Sequence, residues 1–254
     1  MQKTLLRTFA GAVVLVLFVA AAAQALKIEI GKTTVSATAE IGPRVLPAKA
    51  NAPVTIGNVT RIDSKEGPPS TLKELVFLFD RHGAVDTKGL PVCTPAKLTE
   101  ATVAQARQRC AGAIVGEGTG RAEVTLPGQP TTKISSPLTI FNAPPQNGRP
   151  SLIAHAYEKI PAPKALLVPF SIERIKHGRY GYQVEIAVPP IADGYGAATL
   201  AEATIGKTWK RGGETVGYVS AHCVGGRLQV HGSISFTDGS FFPGTLTSPC
   251  RVSD

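Results

Sequence analysis

The 254-residue sequence predicts a mainly β protein, an antiparallel β-sandwich or jelly roll with one short helical insert. Three observations predict this class. Apolar and polar residues alternate along several segments, which is typical of half-buried antiparallel strands. Turn pairs containing glycine separate these segments, and the chain holds 20 prolines and 26 glycines, too many for long helices. We therefore expect ten or more short strands.

The first element is a secretory signal peptide, residues 1–25. A basic stretch at residues 1–7 precedes an apolar run at residues 9–23, and Ala23-Gln24-Ala25 is a typical cleavage sequence. An uncleaved membrane anchor is the alternative, because the run approaches the roughly 17 to 25 residues of a spanning helix. Cleavage predicts a secreted or cell-envelope protein with one domain, residues 26–254, and no membrane span.

The segment from residue 26 to residue 53 is expected to be partly extended. Pro43, Pro47 and Pro53 exclude a central strand at its end, so residues 42–53 form a surface connection or an edge segment. Farther along, Leu75 to Phe79 are all apolar. This pattern predicts a strand buried on both faces, with the sheet on one side and the helical insert on the other.

The helical insert is predicted at residues 94–110, between Cys93 and Cys110. Thr94-Pro95 has the form of an N-cap followed by proline at the first helical position. One straight helix would hold the two cysteines about 25 Å apart, against the roughly 7 Å that a disulfide tolerates. Thr102 and Gln105 have capping-box spacing. We therefore predict two short helices with a break at residues 99–102.

The four cysteines of an exported chain indicate two structural disulfides, with three alternative pairings. Sequence order favours Cys93 with Cys110 and Cys223 with Cys250. The absence of a C-x-x-C pair disfavours zinc and redox roles.

The glycines Gly116, Gly118 and Gly120 follow Cys110 and superficially resemble a phosphate loop. The next residues, 121–126, alternate as a strand, whereas a dinucleotide-binding loop opens a helix. These glycines are therefore expected to permit a bulge or the close approach of another segment.

Later segments continue the strand pattern. Residues 182–188 and 228–236 alternate between apolar and polar side chains. Hairpin turns are predicted at His177-Gly178, Gly212-Gly213 and Asp238-Gly239, and a longer proline-rich loop at Asn147-Gly148.

The candidate catalytic residues are Ser220 and His222, which lie on one face of a predicted strand, with Asp193 or Asp238 as the acid. The chain lacks the G-x-S-x-G elbow of many hydrolases, and a triad is defined by geometry. The residues Asp80, His82 and Asp86 lack the spacing of a calcium loop, so a polar turn is preferred. We predict no metal and no cofactor.

The candidate binding residues are Trp209, Lys210 and Arg211, next to a Gly-Gly turn where an aromatic side chain could stack on a sugar. Alternatively, Trp209 shares a strand face with Ile205 and completes the core. The formal net charge of +9 favours contact with anionic polymers or glycans. The basic residues are scattered, as on an ordinary solvated surface, and no nucleic-acid motif is present.

Several spaced motifs carry a resemblance to a known group. They are Gly89-Leu90-Pro91-x-Cys93, Cys110 followed by Val115-Gly116-x-Gly118, Ser220-Ala221-x-Cys223, Phe236-x-Asp238-Gly239-Ser240, and Cys250. In these motifs, from about residue 52 onward, the chain resembles uncharacterised secreted bacterial β-rich proteins with paired structural cysteines. The resemblance implies an exported β-rich domain and transfers no activity or ligand.

The sequence thus predicts a non-enzymatic binding or structural protein of the cell envelope or extracellular space. Its expected partner is an anionic envelope polymer, a glycan or another protein. The alternative is a secreted hydrolase that uses Ser220 and His222.

Overall fold

The computed structural model describes residues 25–253, which form nineteen strands, one α-helix and three short 3-10 turns. The strands are β1 (Ala25–Ile30), β2 (Thr33–Gly42), β3 (Val45–Leu46), β4 (Ala52–Pro53), β5 (Thr55–Ser64), β6 (Leu72–Asp80), β7 (Gly83–Val85), β8 (Ile114–Val124), β9 (Thr132–Gln146), β10 (Arg149–Glu158), β11 (Lys164–Arg174), β12 (Tyr180–Ala187), β13 (Gly196–Ile205), β14 (Thr208–Arg211), β15 (Glu214–Gly217), β16 (Val219–Ala221), β17 (Arg227–Phe236), β18 (Phe241–Pro249) and β19 (Arg251–Val252). The helix is α1 (Val103–Arg109). The 3-10 turns are Pro95–Lys97, Ala111–Ala113 and Ala192–Gly194. The predicted signal peptide lies outside these described residues, apart from Ala25.

Twelve strands form one antiparallel sheet in the order β1-β2-β5-β13-β8-β9-β10-β11-β12-β6-β17-β18. The sheet curls until its first two strands pack against its last. Leu26 of β1 fills the space in which a side chain at Gly244 of β18 would lie. The predicted mainly β, antiparallel class with one helical insert is confirmed.

Short strands complete the fold around this sheet. β4, β16 and β7 form a three-stranded sheet, and its Val219 and Ala221 belong to the largest core cluster together with Val54, which follows β4. We call this small sheet the cap. Pro53 lies in an edge strand of the cap, as its missing N–H requires.

The helical insert breaks where the sequence predicts. The 3-10 turn Pro95–Lys97 ends before Thr102, which caps α1. Thr102 Oγ1 accepts from Gln105 N at 3.4 Å, and Gln105 Oε1 accepts from Thr102 N at 3.0 Å. This return of the chain brings the α-carbons of Cys93 and Cys110 to 5.6 Å, and their disulfide is formed.

The insert covers the outer face of β9 and β10. Its buried Leu98 and Ala106 belong to one cluster with Phe141 and Ile153 of these strands. The expectation that the insert covers the Leu75–Phe79 segment is therefore wrong. That segment lies in β6, between β12 and β17, and its side chains are only partly buried, so it is not buried on both faces. Leu75, Phe77 and Phe79 line the interior of the curled sheet.

The glycines of β8 permit close approach of β13, as predicted. A Cβ atom at Gly116 would lie 2.7 Å from Thr204 O, and one at Gly118 would lie 2.8 Å from the α-carbon of Ala203. Real Cβ atoms almost never come this close to a backbone. Glycine is therefore required at these two positions, where the backbone of β13 lies close to β8.

The predicted turns join consecutive strands of the structure. Gly212-Gly213 links β14 to β15, and Asp238-Gly239 lies between β17 and β18. Asn147-Gly148 links β9 to β10 as a two-residue turn. The prolines before it, Pro144 and Pro145, lie inside β9, so the loop is shorter than predicted.

The second disulfide joins Cys223, just after β16, to Cys250, whose α-carbon lies 5.8 Å away. Both favoured cysteine pairings are thus confirmed, and two disulfides fit an oxidising environment outside the cytoplasm. Within residues 25–253, no helix has the length and apolar character needed to cross a membrane.

Candidate functional site

The curled sheet encloses a cavity of about 880 Å³. Small-molecule sites typically measure roughly 300 to 1,000 Å³. The apolar faces of the large sheet surround the cavity, and Val85 and Val219 of the cap, with the adjacent Val54, close one end. At the other end, Val35, Ile62 and Phe236 pack in a separate core cluster. The interior is therefore hollow between two packed ends.

Apolar side chains dominate the wall of the cavity. Their inward position follows from the period-two alternation of the strands. Those that stay partly accessible include Leu75, Phe77, Leu138, Val168 and Ile186. Many neighbouring inward positions carry glycine or alanine, which leaves space that larger side chains would fill. Such positions are Ala39, Gly120, Ala154, Ala156 and Ala203.

The polar residues on the inner face of β5 satisfy one another. Thr60 Oγ1 donates to Asn58 Oδ1 at 3.1 Å, and Asn58 Nδ2 donates to the carbonyl of Thr38 at 3.2 Å. These groups need no hydrogen bond from a ligand. The interior therefore favours an apolar occupant.

A gap in the sheet opens the cavity sideways between β9 and β10. The two strands pair from Gln146 with Arg149 as far as Thr139 with His155. Beyond that point the backbone of residues 132–138 pairs only with β8, and that of residues 156–158 only with β11. One hydrogen bond, from Tyr157 N to Ser136 Oγ at 3.0 Å, still crosses between the two strands. Both segments line the cavity, as do Thr102 and Val103 at the start of α1. We call this opening the β9–β10 gap.

Basic side chains surround the gap. The side chains of Lys159 and Arg121 are exposed and make no hydrogen bond or ion pair within residues 25–253. Lys133 is also exposed and has only a loose ion pair, 3.7 Å from Glu123. The buried carboxylate of Glu158 has a cation of its own: Oε1 accepts from Ala192 N at 3.0 Å, and Oε2 forms an ion pair with Lys164 Nζ at 3.5 Å. The rim is therefore suited to a negatively charged group.

The structure does not assemble the predicted hydrolase site. Among the described residues, no hydrogen bond joins Ser220 to His222, whose Nδ1 lies 2.7 Å from Asn51 Oδ1. Asp193 pairs with Lys164. Asp238 accepts from Ser240 and Ser70, and these bonds lower the pKa of its carboxyl to about 2. Neither acid lies behind His222.

The predicted binding residues Trp209, Lys210 and Arg211 of β14 make contacts within the protein. Trp209 is partly buried, packs against the largest core cluster and lies beside Gly89, which agrees with the alternative of a core residue. Arg211 Nη2 binds Asp86 Oδ2 at 2.6 Å, and this contact lowers the pKa of Asp86. Lys210 Nζ donates to Thr215 at 2.7 Å. These three side chains form no open sugar-stacking surface.

A second cluster, which the sequence does not reveal, lies where β6 meets the cap. His82 Nδ1 is 2.7 Å from Asp80 Oδ1, and the ring centroids of His82 and His222 are 5.0 Å apart with planes at 82°. Asp80 is buried and its Oδ2 also accepts from Gln229 N at 3.1 Å. Burial and the neighbouring His82 lower the pKa of His222.

One further histidine is structural. His155 is fully buried beneath the insert, and its Nε2 lies 2.9 Å from the carbonyl oxygen of Ala101. Burial lowers the pKa of His155, so the neutral ring is favoured.

Neither protein-family models nor curated proteins match this chain.

Proposed function

We propose that the protein is an exported carrier or binding protein for a single-chain amphiphile, such as a fatty acid. The observation that carries this proposal is the cavity of about 880 Å³ with its apolar wall and its lateral gap. At roughly 30 Å³ per non-hydrogen atom, the volume taken from liquid water, the space suits an acyl chain of about sixteen carbons with room to spare. The chain lies inside the curled sheet.

The polar head of the ligand lies at the β9–β10 gap in this proposal. The gap is the place where apolar wall and basic rim meet, so a chain inside places its head beside Lys133 and Lys159. Export is part of the proposal. It is supported by the predicted signal peptide and by the two disulfides.

The anionic-polymer hypothesis stays a prediction. The basic side chains of Lys210 and Arg211 give it no geometric support, because they are engaged in internal contacts. The hydrolase alternative lacks an assembled site among the described residues.

Filling the cavity is expected to weaken ligand binding. Ala154 faces the cavity from β10 and is partly accessible. Ala154→Trp places an indole in the space of the acyl chain, so we expect the affinity for a fatty acid of about sixteen carbons to fall at least tenfold. Titration with a fluorescent fatty acid measures this affinity. The matched control is Ala187→Trp, because Ala187 is an exposed position of β12 and its substitution leaves the cavity unchanged.

The affinity for a fatty acid of about eight carbons should fall less in the Ala154→Trp variant, because this shorter ligand occupies less of the cavity. Equal affinities of the wild type, Ala154→Trp and Ala187→Trp would place the ligand elsewhere on the protein. Thermal unfolding curves show whether the variants remain folded.

The charged head of the ligand should contribute to binding affinity through the basic residues around the β9–β10 gap. We expect the protein to bind a long-chain fatty acid roughly tenfold more tightly than its methyl ester at low salt, because the ester carries no charge. The double variant Lys133→Gln with Lys159→Gln should remove this difference. Equal binding of acid and ester by the wild type would contradict the placement of the head, while binding of neither would contradict the proposed function.

A further inference from the structure

We infer that His82 and His222 form a binding site for a divalent transition-metal ion of the copper and zinc type. The two residues are 140 positions apart in the chain, and the cap brings them together. This site lies at the junction of β6 and the cap, and the inference does not rest on the proposed carrier function.

Each imidazole is held through its Nδ1 atom, and no hydrogen bond to its Nε2 atom occurs within residues 25–253. A carboxylate oxygen only accepts hydrogen bonds, so His82 Nδ1 donates to Asp80 Oδ1 over 2.7 Å. His222 Nδ1 likewise donates to Asn51 Oδ1 over 2.7 Å. In the neutral ring the other nitrogen then carries the lone pair that binds a metal. Metal-binding histidines almost always make such a second hydrogen bond to a carboxylate or carbonyl group.

The spacing of the rings fits one shared ion. At metal–nitrogen distances of about 2.0 to 2.1 Å, the centroids of two imidazoles on a tetrahedral ion lie about 5 Å apart. The observed separation of the centroids is 5.0 Å. Both side chains are partly accessible, with His82 at 28% exposure, so an ion can reach them and water can complete its coordination.

The backbone around the pair is fixed before an ion binds. His222 N donates to the carbonyl of His82 at 3.1 Å. The next residue, Cys223, is held by its disulfide to Cys250. Asp80 is held by Gln229 N and by Arg179 at 3.4 Å. A preorganised pair loses little conformational entropy on binding.

The two imidazole nitrogens of the site determine which class of metal ion it can bind. Imidazole nitrogen suits copper, nickel and zinc, and Cu²⁺ binds most tightly among divalent first-row ions. No cluster of three or more histidine, cysteine, aspartate or glutamate ligands occurs in residues 25–253. The site therefore offers two protein ligands and leaves the other positions to water, which is suited to an exchangeable ion.

Titration of the purified full chain, without a histidine tag, with Cu²⁺ tests this inference. We expect one ion per molecule with two nitrogen ligands in the electron paramagnetic resonance spectrum. The variants His82→Asn and His222→Asn should each bind at least tenfold more weakly. The control is His231→Asn, since His231 is a partly exposed histidine of β17 that contacts Thr245. It should retain both the affinity and the spectrum.

A positioning variant separates metal binding from folding. Asn51 is exposed, so Asn51→Ala should fold normally and still lose roughly tenfold in Cu²⁺ affinity, as is typical when a partner of a ligand is removed. Bound Cu²⁺ should raise the melting temperature of the wild type but not of His222→Asn. The inference is overturned if Cu²⁺ does not bind, or if it binds His82→Asn and His222→Asn with the wild-type affinity and spectrum.

Discussion

Gly118→Ala is expected to lower the free energy of unfolding by about 3 kcal/mol or more. A Cβ atom at this position would overlap the carbonyl group of Glu202, with 2.7 Å to its carbon and 2.8 Å to the α-carbon of Ala203. These neighbours are backbone atoms of a hydrogen-bonded strand, so relief of the clash requires β8 and β13 to separate. For a domain of this size we expect a fall of roughly 6 to 12 °C in melting temperature.

Gly120→Ala is the matched control, because it lies two residues farther along the same face of β8. Its Cβ atom would come no nearer than 3.6 Å to any atom beyond its chain neighbours, and that atom belongs to the flexible side chain of Leu138. Alanine also restricts the unfolded chain more than glycine does, so stability should change by less than about 1 kcal/mol. Chemical denaturation of both variants measures the contrast. Equal stabilities would show that β8 and β13 do not approach as closely as described.

Removal of the Cys93–Cys110 disulfide should cost roughly 3 kcal/mol and should also alter the β9–β10 gap. The bond closes a loop with a sequence separation of 17 residues, and its loss frees the unfolded chain. The start of α1 lines the cavity opening, so loosening of the insert should speed ligand exchange. The variant is Cys93→Ala with Cys110→Ala. Its melting temperature, its cleavage by trypsin within residues 97–109 and its ligand dissociation rate are to be measured.

The second disulfide provides the control for that prediction. Cys223→Ala with Cys250→Ala should lower the melting temperature similarly, because the loop is of comparable length. This disulfide lies at the cap, so ligand exchange through the gap should stay close to the wild-type rate. Identical exchange rates in both double variants would contradict a role of the insert at the opening.

The local structure of this chain was largely predictable from sequence. The break of the insert follows from the capping pair Thr102 and Gln105, whose two hydrogen bonds form as predicted. The close approach at Gly118 follows from a glycine run that leads into a strand. These features depend on residues near one another in the chain, where capping and steric rules apply.

The cavity was not predictable from the same patterns. Alternation shows which side chains point inward, but it does not show whether they meet across the interior. Small inward residues such as Gly120 and Ala154 are the signal in the sequence, and their meaning depends on which strands face each other. The gap depends on where β9 and β10 part after Thr139, which no local residue pattern fixes.

The site predicted from the sequence differs from the one in the structure because both depend on which distant segments meet. The sequence pairs Ser220 with His222 because they share a strand face. In the structure, β16 ends at Ala221, and His222 instead meets Asn51 and His82 from distant segments. Such contacts depend on strand order, which one sequence does not reveal.

A crystal structure of the protein with a bromine-labelled long-chain fatty acid tests the carrier proposal most directly. Anomalous scattering locates the bromine at the end of the chain. The account predicts a bromine peak inside the curled sheet, near Phe77, Ala154 and Val168, with the carboxylate at the β9–β10 gap beside Lys133 or Lys159. An empty interior with bromine only on the outer surface would contradict it.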